Sequence, residues 1–266
     1  MNRNSNTYTI IYSAVLVVLV AASLALLSIA LKDPQQANIR TEKMQNILAS
    51  FGKGAVPKGE DKNSYIEKEY GTYIVDTYTV GVNGEKVQGE NAFDVDMKYQ
   101  LSLDEEMRTL PVFVAKDGAR TIYILPLYGA GLWGPIWGYI AVDSDGSTVV
   151  GSVFSHSGET PGLGAEISLP VFSNQFINKQ IFEGNQFVSI TVVKPGSTVT
   201  TAHNVDGISG GTLTCQGVND LLRSNLEDYK MFLMKSGTKF KPVIEEIVAE
   251  DESEEITENT EQEETL

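Results

Sequence analysis

The 266-residue sequence is poor in the side chains that bind metals and form disulfides, with one cysteine and two histidines. Cys215 has no second cysteine to pair with, so an intramolecular disulfide is excluded and the sequence does not indicate the redox compartment. Lipoprotein processing is also excluded, because it needs a cysteine directly after an N-terminal apolar segment. His156, His203 and Cys215 fall in separate segments and predict no metal site. We expect both histidines at the surface or behind a site, and a structural role for Cys215.

Basic residues are scarce too: 20 Lys and Arg stand against 35 Asp and Glu, which gives a net charge of −15. They form no basic stripe, and an acidic protein repels phosphates, so nucleic acid is excluded as a partner. Residues 245–266 hold eleven acidic residues and no basic one. We expect a disordered, solvated acidic tail over residues 244–266, with docking to a basic partner as the alternative.

Charge is absent from residues 10–31, which are rich in Val, Leu, Ala and Ile. About 20 such residues in a helix cross a hydrocarbon core of roughly 30 Å, so the segment predicts a transmembrane helix in contact with membrane lipid. A cleaved signal peptide is the alternative, but its apolar region would be shorter and followed by small residues. Here the apolar run leads directly into Lys32-Asp33-Pro34.

The orientation of this helix follows from the few flanking charges. Residues 1–9 form a short tail that carries Arg3, which favours a cytoplasmic N-terminus. We therefore expect a single-pass protein of the bacterial inner membrane, with the large domain in the periplasm.

The segment that follows the membrane helix has mixed signals. Residues 38–51 have apolar or small residues at helical spacing, and residues 57–70 are polar and predict a loop. Residues 73–80 are rich in β-formers and lead to a hairpin turn at Asn83-Gly84. The pattern of residues 85–108 is ambiguous, and we expect them to form an extension of the domain rather than part of its core. We therefore expect a linker helix and extension over residues 32–109.

From residue 110 the pattern is clearer. Two hairpins are predicted, one from residues 110–115 and 121–127 and one from residues 136–142 and 147–154, followed by a strand over 187–193. A last helix is predicted over residues 216–236, and its apolar stripe is Val218, Leu221, Leu222, Leu226, Tyr229, Phe232 and Leu233. Antiparallel strands with flanking helices indicate an α+β domain over residues 110–243.

Residues 206–214 read Asp-Gly-Ile-Ser-Gly-Gly-Thr-Leu-Thr. Within them, residues 207–211 fit the G-x-S-x-G elbow of serine hydrolases, which needs a histidine later in the chain. No histidine follows His203, so that order of catalytic residues cannot be completed. A plain glycine-rich turn, with Thr212 or Thr214 capping the next helix, is the other alternative.

The same residues resemble the flavinylation motif Asp-x-x-Ser/Thr-Gly-Ala-Thr of the FMN-binding domain family. The resemblance implies that a flavin transferase joins the phosphate of FMN to Thr212 as a phosphoester, with Thr214 as the fallback site. A phosphate there would meet the N-terminus of the predicted helix, which favours anions. The sequence departs from the family at Gly211, where the family usually has Ala.

Two further glycine-rich segments occur in the chain. Residues 125–134 read Leu-Pro-Leu-Tyr-Gly-Ala-Gly-Leu-Trp-Gly, and residues 155–164 read Ser-His-Ser-Gly-Glu-Thr-Pro-Gly-Leu-Gly. Taken alone, each is a loop whose glycines would admit a planar ligand and whose other residues could be ordinary core and turn residues. Together with residues 206–214, and in this order, they resemble the C subunit of the Na+-translocating NADH:quinone reductase.

This resemblance implies an electron-carrying subunit that holds covalent FMN, has no catalytic residue of its own, and works with the other subunits of the complex. The alternatives are the G subunit of an Rnf-type ferredoxin:NAD oxidoreductase or another flavinylated carrier, and a membrane-anchored binding module without flavin. The residues expected at the flavin site are Leu132, Trp133, Glu159, Thr160, Gly162 and Leu163 of the two loops, and Asp206, Ser209, Gly210, Gly211, Thr212, Leu213 and Thr214 of the motif.

Overall fold

The computed structural model describes residues 6–89, 91–197 and 201–240. The acidic tail expected over residues 244–266 lies outside the described residues. The chain divides into two compact units, residues 1–44 and residues 45–266.

The first unit consists of most of helix α1, Asn6–Ala49, which is long and apolar enough to cross a membrane. Its large apolar side chains between residues 10 and 31 are exposed on all sides, as in a helix that faces lipid. The helices expected over residues 10–31 and 38–51 are one continuous helix, and Pro34 lies inside it.

The second unit is built on a six-stranded antiparallel sheet with the order β2-β1-β3-β4-β5-β6. Both predicted hairpins are confirmed, as β3–β4 and β5–β6. The strands are β1 Ile74–Gly81, β2 Lys86–Val87, β3 Thr109–Asp117, β4 Arg120–Ala130, β5 Pro135–Asp143 and β6 Val149–His156.

Two expectations for the segment before residue 110 were wrong. Residues 57–70 are not all loop: helix α2 spans Lys62–Tyr73, and the Asp61 carboxylate caps it by accepting the Ser64 N–H at 2.9 Å. Strands β1 and β2 belong to the main sheet, because β1 pairs with β3 along its whole length. The predicted extension therefore contributes to the core.

The sheet is covered on both faces. Leu110, Val112 and Val114 of β3 join the main apolar cluster, while Phe113 between them meets the ring of Phe93 at 6.4 Å between centroids. Alternate residues of a strand point to opposite faces of the sheet. Because β3 is buried at odd and even positions alike, it has packing partners on both faces.

The last helix begins earlier than predicted and is interrupted. Helix α5 spans Thr212–Asp228 and α6 spans Lys230–Ser236, with a break at Tyr229. The predicted apolar stripe is confirmed, since all seven of its residues are buried. Tyr229 donates its phenolic hydrogen to the Pro111 carbonyl at 2.8 Å, which ties the break to β3.

Short elements complete the unit. The strand expected over residues 187–193 is interrupted at Ser189, whose φ of 62° does not fit a strand. Strand β9 pairs in parallel with β10, which leads into residues 206–214. These elements are α3 Met97–Gln100, α4 Pro170–Ser173, β7 Phe182–Glu183, β8 Gln186–Phe187, β9 Thr191–Val193, β10 Asn204–Asp206 and the 3-10 helices Glu105–Met107, Gly164–Ser168 and Asn174–Phe176.

The ion pair between Arg108 and Asp228 fastens the segment before β3 to the end of α5. Arg108 Nη1 reaches both carboxylate oxygens, at 3.0 and 2.9 Å, and Asp228 is 4% exposed. Burial raises the pKa of Asp228 although the guanidinium opposes this shift.

Arg108→Ala should destabilise the protein by about 3 kcal/mol at neutral pH, because it leaves a buried carboxylate without its cation. Removing the guanidinium, which lowers the pKa of Asp228 in the parent chain, raises that pKa further, so the loss should shrink as the pH falls from the variant's higher pKa towards the pKa of the parent chain. Urea unfolding at several pH values measures both effects. The control is Arg120→Ala, which breaks the more exposed pair with Asp143 and should cost only about 0–1 kcal/mol. Equal losses in the two variants would contradict the account.

Candidate functional site

Three loop segments meet at one end of the sheet. The turn between β4 and β5 is closed by the Gly131 N–H, which donates to the Gly134 carbonyl at 2.8 Å. Residues 157–164 follow β6, and residues 207–211 connect β10 to α5. These are the three segments that the sequence motifs singled out.

The carboxylate of Glu159 joins the three segments. Its Oε1 accepts the Trp133 backbone N–H at 2.9 Å, and its Oε2 accepts the Thr214 hydroxyl at 2.5 Å. Its own backbone N–H donates to His156 Nδ1 at 3.2 Å. Glu159 is 4% exposed, so it lies beneath the surface. Each of its two oxygens already accepts a hydrogen bond from the protein.

Two glycines of the motifs make room for this carboxylate. A Cβ on Gly131 would lie 2.5 Å from Glu159 Oε1, and a Cβ on Gly164 would lie 2.5 Å from Oε2. The sequence suggested that these glycines admit a planar ligand. In the structure they admit the buried side chain of Glu159.

The turn before α5 depends on Gly210. Its φ is +75°, and the Gly211 N–H donates to the Ile208 carbonyl at 3.0 Å, as in a type II turn with glycine at the third position. A Cβ on Gly210 would lie 2.5 Å from Leu163 Cδ2, so the turn also packs against the second loop.

The N-terminus of α5 has no side-chain cap. Its N-cap is Gly211, and among the described residues no acceptor bonds the N–H groups of Thr212, Leu213 and Thr214. The alternative in which Thr212 or Thr214 caps this helix is therefore wrong: Thr212 is the first helical residue, and the Thr214 hydroxyl donates to Glu159. Thr214 is 2% exposed, whereas Thr212 is exposed to solvent.

The start of the motif is held through its backbone. Gln175 Oε1 accepts the Asp206 N–H at 2.8 Å, and Gln175 Nε2 donates to the Asp206 carbonyl at 3.2 Å. The Asp206 carboxylate accepts the Gly196 N–H at 3.2 Å. The Ile208 N–H donates to Cys215 Sγ at 3.2 Å.

Cys215 is buried, and this burial raises the pKa of its thiol, so it stays protonated at neutral pH. Within residues 6–89, 91–197 and 201–240 there is no group of three or more His, Cys, Asp and Glu side chains that could hold a metal ion. These contacts fit the structural role expected for Cys215.

Two asparagines of α5 bond backbone groups in the same bidentate way. Asn225 accepts the Tyr128 N–H at 2.8 Å and donates to the Tyr128 carbonyl at 3.1 Å. Asn219 does the same with Val192, at 2.5 and 3.0 Å. They fix α5, and with it Thr212, between β4 and β9. The sequence motifs did not reveal Asn219, Asn225 or Gln175, because nothing local distinguishes a bonded amide from a solvated one.

Four large apolar side chains are exposed around the buried carboxylate; we call this set the apolar platform. Trp133 itself bonds Glu159 through its backbone N–H, and the other three are chain neighbours of residues that contact Glu159. The exposed fractions are 47% for Leu132, 68% for Trp133, 41% for Leu163 and 56% for Leu213. Clustered exposed apolar residues mark ligand or protein contact sites.

A groove of about 160 Å³ is lined in part by Thr212. Lys194 is the cation in its lining and makes no ion pair with any described residue. The groove is smaller than the roughly 300–1,000 Å³ of ordinary cofactor pockets, so it cannot enclose a whole FMN. Its lining residues are Val192, Val193, Lys194, Pro195, Thr212, Cys215, Gln216 and Asn219.

The remaining predicted residues lie at the surface of the same loops. Ser209, Thr160 and Gly162 are exposed, and the Gly162 N–H donates to Glu166 Oε1 at 3.1 Å. His203 is the histidine nearest in sequence to Ser209, the serine of the G-x-S-x-G pattern. Its Nδ1 donates to the Gln180 carbonyl at 2.7 Å, so this ring nitrogen does not bond Ser209.

Comparison with known proteins agrees with this geometry. Residues 131–227 match the FMN-binding domain family. The chain is similar to the C subunit of the Na(+)-translocating NADH-quinone reductase of Vibrio vulnificus, with 33% identity over 201 residues, which cover 72% of this chain and 79% of the relative. The same subunit of Haemophilus ducreyi is 30% identical over 235 residues, covering 82% and 89%.

A solved structure shows the same fold. The crystal structure of the C subunit of the Na(+)-translocating NADH-quinone reductase from Parabacteroides distasonis matches with a TM-score of 0.69 and 46% identity. The match covers 76% of this chain and 96% of that chain. The α+β antiparallel-sheet fold and the resemblance drawn from the three motifs are therefore confirmed.

Gly164→Ala should lower the free energy of unfolding by about 1–3 kcal/mol, because the new methyl group overlaps both the Thr214 hydroxyl and the Glu159 carboxylate. Gly158→Ala in the same loop is the matched control, since its Cβ would meet its nearest neighbour, the Trp133 carbonyl oxygen, at 3.8 Å. Thermal unfolding followed by tryptophan fluorescence measures both variants. A Gly164→Ala protein as stable as the control would show that the carboxylate is not packed between the loops.

Proposed function

The chain belongs to the family of the C subunit of the Na+-translocating NADH-quinone reductase, and from this we propose that it carries electrons through an FMN attached to Thr212 by a phosphoester. Its FMN-binding domain match and its membership of a subunit family support the carrier role. FMN, when bound, supplies a ring that accepts and gives up electrons, and the protein holds and orients it.

The difference between two threonines is the observation that supports Thr212 most directly. Thr212 is an exposed residue at the first position of α5. The Thr214 hydroxyl is buried and already donates to Glu159, so a transferase would have to break that hydrogen bond to reach it. The sequence left the two residues as alternatives, and the structure favours Thr212.

The surroundings of Thr212 suit a phosphate. Three backbone N–H groups at the N-terminus of α5 have no acceptor in the described part of the chain, and the helix dipole there favours an anion. Lys194 in the adjoining groove adds a positive charge. The protein itself is acidic, so these groups are the local features that stabilise a negative charge.

The apolar platform suits the flavin ring. Leu132, Trp133, Leu163 and Leu213 offer apolar area, and the indole of Trp133 offers a stacking face. A surface platform and a small groove hold a ligand less firmly than a deep pocket, so a covalent tether at Thr212 would add retention at this site.

Gly211 in place of the family's usual Ala is compatible with this function. Its φ of −100° is open to any residue, and a Cβ there would lie 3.1 Å from Ile208 Cγ2. An alanine would need a shift of a few tenths of an ångström, so either residue fits the same turn.

The proposed partners follow from the family and from α1. The chain works as one subunit of the Na+-translocating NADH-quinone reductase, which moves electrons and Na+ as a whole, and it has no activity alone. A flavin transferase matures it. Helix α1 crosses the inner membrane in contact with lipid, with its N-terminus in the cytoplasm and the FMN domain in the periplasm.

Thr212→Ala should abolish the adduct without unfolding the domain, because its side chain is exposed and caps nothing. Each protein is produced with a flavin transferase, and intact mass reports the adduct. Thr214→Val is the matched control: it removes the buried hydroxyl but leaves Thr212 in place, so its adduct should persist. An adduct retained by Thr212→Ala and lost by Thr214→Val would move the attachment site to Thr214.

Trp133→Ala should leave the adduct in place but loosen the flavin, because the residue contributes exposed apolar surface to the platform. Fluorescence anisotropy of the tethered flavin should fall, and its absorbance bands should shift toward those of free FMN. Met107→Ala, which truncates an equally exposed side chain elsewhere, is the control. Identical absorbance spectra and anisotropy in the parent chain and both variants would place the flavin ring away from Trp133.

A further inference from the structure

Among the described residues, no cation pairs with the buried carboxylate of Glu159. The donors that its oxygens bond within this part of the chain are a backbone N–H and a hydroxyl, which are neutral. None of the ion pairs among the described residues involves it. Burying a charge without a counter-charge costs stability, and a neutral amide of the same shape would avoid most of this cost. Packing alone therefore does not account for a carboxylate at this position.

The location of this charge suggests what it acts on. The carboxylate packs against Trp133, Thr214 and Gly164. Trp133 and one chain neighbour of each of these three residues form the apolar platform. With an exposure of 4%, Glu159 presents almost no surface to a ligand on that platform. Its influence on a ring held there would be exerted through its charge.

We propose that Glu159 is a positioning residue whose buried negative charge lowers the reduction potential of the flavin held on the platform. The inference rests on the proposed function. Adding an electron to a flavin makes the ring more negative, and a fixed anion below it opposes that change. The effect is strong where water is excluded, because the interaction between charges grows as the local dielectric constant falls.

The test is a potentiometric titration of the full-length flavinylated chain, with intact mass confirming the adduct in each variant. Glu159→Gln keeps the size of the side chain and an oxygen for the Trp133 N–H, but removes the charge. At a fixed electrode potential, the ratio of reduced to oxidised flavin should rise by about three- to tenfold. Asp220→Asn removes an exposed carboxylate from α5 and should leave the ratio unchanged, because water and salt screen that charge.

A second readout separates charge from packing. Glu159→Gln should be as stable as the parent chain or more so, since the uncompensated charge is gone. Thr214→Val removes one donor from the carboxylate but leaves its charge, so the flavin should become harder to reduce. The two variants thus shift the potential in opposite directions, which a general loosening of the site would not do.

The outcomes distinguish this inference from the proposed function. A Glu159→Gln protein that carries the adduct and keeps the parental potential would overturn the inference and leave the carrier role intact. If Glu159→Gln takes no adduct, Thr214→Val decides: a lower potential supports the role of the charge, and an unchanged one refutes it. A parent chain without adduct would overturn both proposals.

Discussion

The two hydrogen bonds accepted by the Glu159 carboxylate are the interaction on which the rest of the site depends. They join the turn between β4 and β5 to the first turn of α5. Glu159 itself lies in a third segment, the loop that follows β6. Three consequences follow. Gly131 and Gly164 must lack side chains, the Thr214 hydroxyl is withdrawn from solvent, and Thr212 is left as the exposed hydroxyl at the start of α5.

The rest of the domain keeps this junction in place. The antiparallel sheet provides the ends of β4, β5 and β6, while Asn219 and Asn225 hold α5 against β9 and β4. Gln175 bonds the backbone of Asp206 at the start of the motif. The helix that presents Thr212 is therefore fixed by side-chain amides along its length and by a carboxylate at its N-terminus.

Regular patterns in the sequence predicted the fold well, and local chemistry predicted the site only in part. Apolar runs on either side of turn residues predicted both central hairpins, because a strand buried on both faces is apolar along most of its length. Helical periodicity predicted the buried stripe of α5, because one face of that helix is buried. The polar segment before Tyr73 was misread since its helix depends on the Asp61 cap more than on an apolar stripe. The motifs located the three loops, but the Glu159 hydrogen bonds join residues 26 and 55 positions apart, which no local pattern encodes.

The most direct test of the account is the mass of the chain produced with and without a flavin transferase. Peptide fragmentation of any adduct then separates Thr212 from Thr214. We expect one FMN only when the transferase is present, carried by Thr212. A folded chain with no adduct under both conditions, or with the adduct on Thr214, would contradict the assignment that the exposed hydroxyl at the start of α5 is the attachment site.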